Sequence, residues 1–211
     1  MRNRRFALLA ATALTGAATL GGMATATAAP TAGNVLTYGS AGGTAVAVGD
    51  NLSAAGSISL SSTSPVGSLN CSSSNFAAKV ASNPTAPGTA TESNVNVTVN
   101  PSSCVISLPG ATGVSSISIA TASATVTSAG VVTVTPLKAT AVLNSLFGPV
   151  TCIYQASSLV GSSSNADNSI NFSNQTLTLT NSEPTCPLTT KFSGSYKPVV
   201  KASTTTKVFV N

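Results

Sequence analysis

Four cysteines and four carboxylates carry most of the chemistry this 211-residue chain could do. The cysteines are Cys71, Cys104, Cys152 and Cys186, and the carboxylates are Asp50, Glu92, Asp167 and Glu183. A catalytic thiol needs a depressed pKa, which a neighbouring His, Lys or Arg supplies. The chain has no His, and its arginines, Arg2, Arg4 and Arg5, all lie at the extreme N-terminus. Ser-His-Asp and Cys-His catalysis are therefore excluded, as are histidine-based zinc and copper sites. No C-x-x-C pair is present to hold zinc through thiolates alone.

What remains for the cysteines is a disulfide framework, for which four cysteines allow three connectivities. Local likenesses favour one of them. "GSLNC" (67–71) and "GPVTC" (148–152) share a glycine four before the cysteine and an apolar residue two before it. "SNVNVTVNPSSC" (93–104) and "NQTLTLTNSEPTC" (174–186) both run from an alternating stretch through asparagine and a proline turn to cysteine. A faint duplication of a strand–loop–strand unit, over residues 60–108 and 141–190, predicts the pairs Cys71–Cys104 and Cys152–Cys186.

Two carboxylates could serve glycoside hydrolysis. Asp50 in "VGDNLS" and Asp167 in "NADNS" sit in turn settings, where a short polar side chain bonds the backbone. Glu183 precedes Pro184, and Glu92 in "TATESN" is read as lying just before a strand. All four are expected to be structural. Serine is too abundant for any Ser–Lys pairing to stand out, and "SSSNADNSINFSN" (162–174) offers oxygen ligands with only one carboxylate, a weak calcium set. The expectation is a protein that is not an enzyme and holds no metal or cofactor.

The elements that would position these residues are strands. "TAVAV" (44–48), "SISL" (57–60), "VNVTV" (95–99), "SSISIA" (115–120), "SATVT" (123–127), "VVTVT" (131–135), "SINF" (169–172) and "QTLTLT" (175–180) alternate apolar with polar. Period two marks a half-buried strand. Val and Thr suit that surface, and Ser and Thr make up close to a third of the residues after position 28. Turn signals such as Gly49-Asp50-Asn51, Pro87-Gly88, Pro109-Gly110 and Ala129-Gly130 separate the runs. "LPGATG" (108–113), which has the look of a sorting signal, is read as a turn. "NFAAKVAS" (75–82) fits a helical turn or a strand. The fold predicted is an all-β antiparallel β-sandwich, immunoglobulin-like or jelly-roll-like, stabilised by disulfides.

The first 28 residues read as a signal peptide: three arginines, an apolar alanine-rich run, then Ala26-Thr27-Ala28 as a cleavage motif. Arg4-Arg5 followed directly by Phe6 leaves twin-arginine and general secretory export both open. Residues 29–211 then form one secreted domain, with no membrane span after signal removal. The chain's net charge of +5 falls with the loss of the arginines, and six lysines remain. Without arginine or a basic cluster there is little footprint for nucleic acid. Lys191, Lys197, Lys201 and Lys207 gather late in the chain, as solubilising residues or as contacts to anionic wall polymers.

The stretches "GGTAVAVGDNLSA" (42–54), "NPTAPGTATES" (83–93), "VVTVTP" (131–136), "TCIYQASSLVGSSSNADNSINFSNQ" (151–175) and "FSGSYKPV" (192–199) resemble a group of exported actinobacterial proteins labelled by a twin-arginine-type signal sequence. The resemblance implies a secreted, disulfide-bearing β protein and brings no catalytic or binding residues. The function expected is that of a non-enzymatic extracellular or cell-envelope-associated structural or binding protein, contacting neutral glycans or cell wall. The alternatives are a soluble carrier of a small apolar ligand, a surface protein that self-assembles through strand edges, and a carboxylate-dependent hydrolase.

Overall fold

Most of the alternating stretches become strands of an all-β protein in the computed structural model, which describes residues 33–120 and 122–211; of "TAVAV" (44–48) only Thr44–Ala45 is strand, the rest entering a turn. Residues 1–28, read from the sequence as a signal peptide, lie outside these residues. Sixteen strands follow in order: Leu36–Tyr38 (β1), Thr44–Ala45 (β2), Asn51–Thr63 (β3), Val66–Ser82 (β4), Thr89–Val99 (β5), Cys104–Ile106 (β6), Ala111–Ile119 (β7) and Ala122–Thr127 (β8). Then come Val131–Thr135 (β9), Leu137–Ser145 (β10), Val150–Ala156 (β11), Leu159–Ser164 (β12), Ser169–Leu179 (β13), Thr189–Tyr196 (β14), Val200–Lys201 (β15) and Val208–Val210 (β16). "NFAAKVAS" belongs to β4 and is extended throughout.

The sandwich expected from the sequence is corrected here: the main sheet closes on itself. Strands β3, β4, β5, β8, β9, β12, β13 and β14 pair antiparallel in that order, and β14 pairs back to β3 to complete an eight-stranded barrel. A sandwich and a barrel impose the same alternation on each strand, so period alone does not separate them. Closure depends on contacts distant in sequence, such as Phe192 opposite Leu60. It is helped by bulges that bend strands, as between Gly56 and Ile58 and between Phe172 and Gln175.

The long strands outlast the ring. Beyond its bulge, β5 passes from β8 to β7 through the pair Thr98–Ser118. Likewise β13 passes from β12 to β11 through Tyr154–Leu179. Strands β7, β10 and β11 thus wall the far end of the barrel, where β8, β9 and β12 wall the near end. Strand β6 adds to the far edge beside β4.

A small sheet, β16–β1–β2, accompanies the near end. Its residues Val35, Leu36, Val46 and Val208 belong to the same buried core as the barrel residues. Asparagine side chains join it to the barrel. Asn83 Nδ2 donates to the carbonyls of Leu36 and Val46 (2.8 and 2.9 Å), and its Oδ1 accepts from the Leu36 amide (2.8 Å). Buried Asn168 donates to the Val208 carbonyl at 2.9 Å. Among the described residues no helix is long and apolar enough to cross a membrane.

Candidate functional site

An eight-stranded barrel has an interior that side chains nearly fill, or that holds one small ligand. Here the near end is not filled. A cavity of about 80 Å³ lies inside it, lined mainly by apolar side chains such as Leu52, Val134, Leu159, Phe172 and Val199, with Ser and Asn residues of the β12–β13 turn at one side. That volume has room for several water-sized groups. Val208 and Val210 of the terminal sheet also line it.

One lining residue is charged in most proteins. Glu92 lies on β5, whose inward face runs Ala90, Glu92 and then, after a one-residue slip, Val95. The slip is a bulge in which Asn94 takes a positive φ of 52°. Glu92 is 4% exposed. Neither of its carboxylate oxygens accepts a hydrogen bond from any protein group among the described residues. Burial pushes its carboxyl up to about 7, because an ionised carboxylate loses its hydration there and gains no partner.

Aromatic rings form part of the wall. Phe76 and Tyr196 pack with ring centres 6.0 Å apart, and Phe172 and Phe192 at 6.2 Å. The Tyr196 hydroxyl is within 3.2 Å of Ser74 Oγ, so it is already partnered. Gly161 on β12 lets Phe172 lie close: a Cβ there would meet the ring at 2.7 Å and the Asn171 carbonyl at 2.5 Å.

The other three carboxylates are engaged at turns and do not line this cavity, although Asp167 bonds the lining residue Ser169. Asp50 pairs with Lys201 at 2.9 Å, and accepts from the Tyr38 hydroxyl at 3.0 Å and the Ala47 amide at 3.1 Å. The Lys201 hydrogen bond leads the effects that hold its carboxyl below the usual range. Asp167 accepts from Ser169 and from Lys197, which lowers its pKa in turn. Glu183 binds its own turn through the hydroxyl of Thr185 at 2.7 Å. In the stretch 162–174, Asn165 and Asn168 donate to the terminal strand β16, and Asn171 bonds Ser169 and Ser195. Their polar atoms serve the fold. Of the late lysines, Lys191 donates to Thr176 at 2.7 Å, while Lys197 and Lys201 form the ion pairs just described.

Cys71 is bonded to Cys104 across the β4–β6 pair, and Cys152 on β11 to Cys186 in the segment before β14. Both bridges reinforce the far end of the barrel. Two disulfides set the chain in an oxidising, non-cytoplasmic environment.

The outer face carries a second feature. Ser57 and Ser59 on β3, Asn70 and Ser72 on β4, Asn171 and Ser173 on β13, and Ser193 and Ser195 on β14 line an open groove without a charged side chain. Ser59 sits opposite both Asn70 and Ser193 in the sheet.

Glu92, expected just before a strand, instead lies within β5, which begins at Thr89, and faces inward. The signal was present in "TATES": Ala90 and Glu92 share the inward parity, and one slipped residue joins them to "VNVTV". Searches against protein-family models, curated proteins and solved structures return no match to this chain.

Proposed function

We propose that the protein binds a small, largely apolar molecule inside the near end of its barrel and carries it outside the cytoplasm. The observation behind this reading is the apolar cavity of about 80 Å³ at the near end, twice the volume of the one among Leu69, Leu143 and Tyr154 at the far end. Interiors normally fill to crystal-like density, and a void forfeits dispersion contacts at its walls. An apolar guest restores those contacts and removes its own surface from water. The disulfides and the export-type segment at residues 1–28 fit a secreted carrier. Solvent extraction of oxidised protein purified from its natural source, followed by mass spectrometry, tests the reading. A stoichiometric small molecule supports it, and a protein that neither carries one nor takes up a single-ring hydrocarbon contradicts it.

A second reading rests on the outer serine and asparagine face. Uncharged hydroxyls and amides in register suit hydrogen bonding to neutral glycans. Co-sedimentation with cell wall and insoluble glycans at low and high salt tests this. Salt-resistant pelleting that is lost when Ser59 and Asn70 are replaced by bulky residues supports it.

A further inference from the structure

The cavity lining is unequal in its polar chemistry. Glu92 and Tyr196 are its only ionisable side chains among the described residues, and the Tyr196 hydroxyl is occupied by Ser74. No lysine lines it. The polar lining residues Ser163, Ser164, Asn165, Asn168 and Ser169 are hydrogen-bonded within the protein, whereas both carboxylate oxygens of the lining residue Glu92 are buried without a protein donor. A neutral hydrocarbon would fill the volume and leave those oxygens unmet. A second anion would be repelled. A protonated amine would bring up to three N–H donors and a compensating charge, so that the buried pair is neutral overall.

From this we infer that the cavity is a site for a small apolar cation, an amine whose hydrocarbon body fills the lumen and whose ammonium group is held by the Glu92 carboxylate. The inference rests on the carrier reading and names its ligand class. The groups around Glu92 do not compete for this role. On β4 the neighbouring Lys79 is exposed and points away from the inward-facing Val80, and on β14 Lys191 is exposed and bonded to Thr176. Strands β3, β8, β9, β12, β13 and β16 carry no titratable side chain, and Asp167 in the β12–β13 turn is exposed and paired with Lys197 at 3.2 Å. In the small sheet, Tyr38 donates to Asp50, which Lys201 neutralises.

Because burial holds the carboxyl up to about 7, the carboxylate that binds the amine is depleted in acid. Amine affinity is greatest above neutrality, while the amine keeps its proton, and falls as Glu92 takes one up. The protein is thereby suited to load in neutral surroundings and release in acid ones.

Calorimetric titration of the oxidised protein with benzylamine and, separately, with toluene tests the inference. At pH 8 benzylamine should bind at least tenfold more tightly than toluene. Its affinity should fall about tenfold between pH 6 and pH 5, as expected when binding requires loss of one proton, while that of toluene stays level. Glu92→Gln should abolish the preference and the pH dependence. If toluene binds and benzylamine gains nothing over it, or gains equally in Glu92→Gln, the amine inference is overturned and the carrier reading stands. Failure of both probes to bind overturns both. The wild-type pH profile decides the matter even if the variant does not fold.

Discussion

Val80 on β4 and Glu92 on β5 are register partners in the barrel wall, and both side chains point inward. One is 1% exposed and the other 4%. The first is an ordinary core residue and the second a carboxyl without a protein partner. Such a group stabilises the fold only while it is protonated. Its carboxyl sits near 7 in the folded chain against an ordinary 4.5, so the native state binds more protons than the unfolded state between those values. Stability contributed by Glu92 is therefore present below about pH 4.5 and lost as pH rises through 7. The loss amounts to about 3 kcal/mol at pH 8. Urea denaturation of Glu92→Gln should show a gain of about 1–3 kcal/mol over wild type at pH 8, and little gain at pH 5. Parallel curves for the two proteins across this range would contradict the burial of an ionisable Glu92.

Gly161 and Phe172 are a second coupled pair. The ring lies where a Cβ on residue 161 would go. Gly161→Ala should destabilise the protein by about 1–3 kcal/mol through overpacking. It should also push the Phe172 ring into the lumen and weaken toluene binding. Thermal unfolding and calorimetry on the same preparation check both outcomes.

The terminal sheet depends on Asn83, whose amide makes three hydrogen bonds to the backbone of β1 and to Val46. Asn83→Ala leaves these backbone groups short of a partner and should cost about 2 kcal/mol. Hydrogen exchange should quicken first at Leu36, whose amide loses its acceptor, while amides in the β10–β11 pair keep their protection.

Each disulfide closes a long loop at the far end, by sequence separations of 33 and 34. Removing one by a double Cys→Ala substitution should lower stability by about 3–4 kcal/mol in the chain-entropy account. Because neither bridge touches the near-end cavity, the Cys71→Ala/Cys104→Ala variant should still bind ligand at a temperature where it is folded. Loss of binding in the folded variant would mean that the far end supports the site.

Much of the architecture was legible in local pattern. "VNVTV", "SATVT" and "VVTVT" lie in β5, β8 and β9, "QTLTLT" lies in β13 up to Leu179, and "TVTSAGVVTVT" turns at Ala129-Gly130 with Gly130 at φ 78°. The disulfide framework followed from an even cysteine count and from the likeness of "GSLNC" to "GPVTC". Closure was not legible, because it is decided by pairings such as Tyr196 with Gly56, which lie far apart in the chain. An inward Glu92 was hidden by the bulge at Asn94, which shifts parity between Glu92 and Val95. A glutamate in a polar stretch reads as a surface residue until the strand is extended back through the slip. The cavity could not be read at all, since it depends on how side chains from every wall of the barrel meet at one depth.

A small apolar molecule bound in the near-end lumen must touch the methyl groups that line it. Titrating methyl-labelled, oxidised protein with toluene and following Leu and Val methyl resonances tests this most directly. Saturable shifts are expected at Leu52, Val134, Leu159, Val199 and Val208, which line the cavity. Leu146, Val66 and Val105, which are exposed on the outside, should not move. Shifts confined to those exposed residues, or no saturable shift at any cavity methyl, would contradict the account.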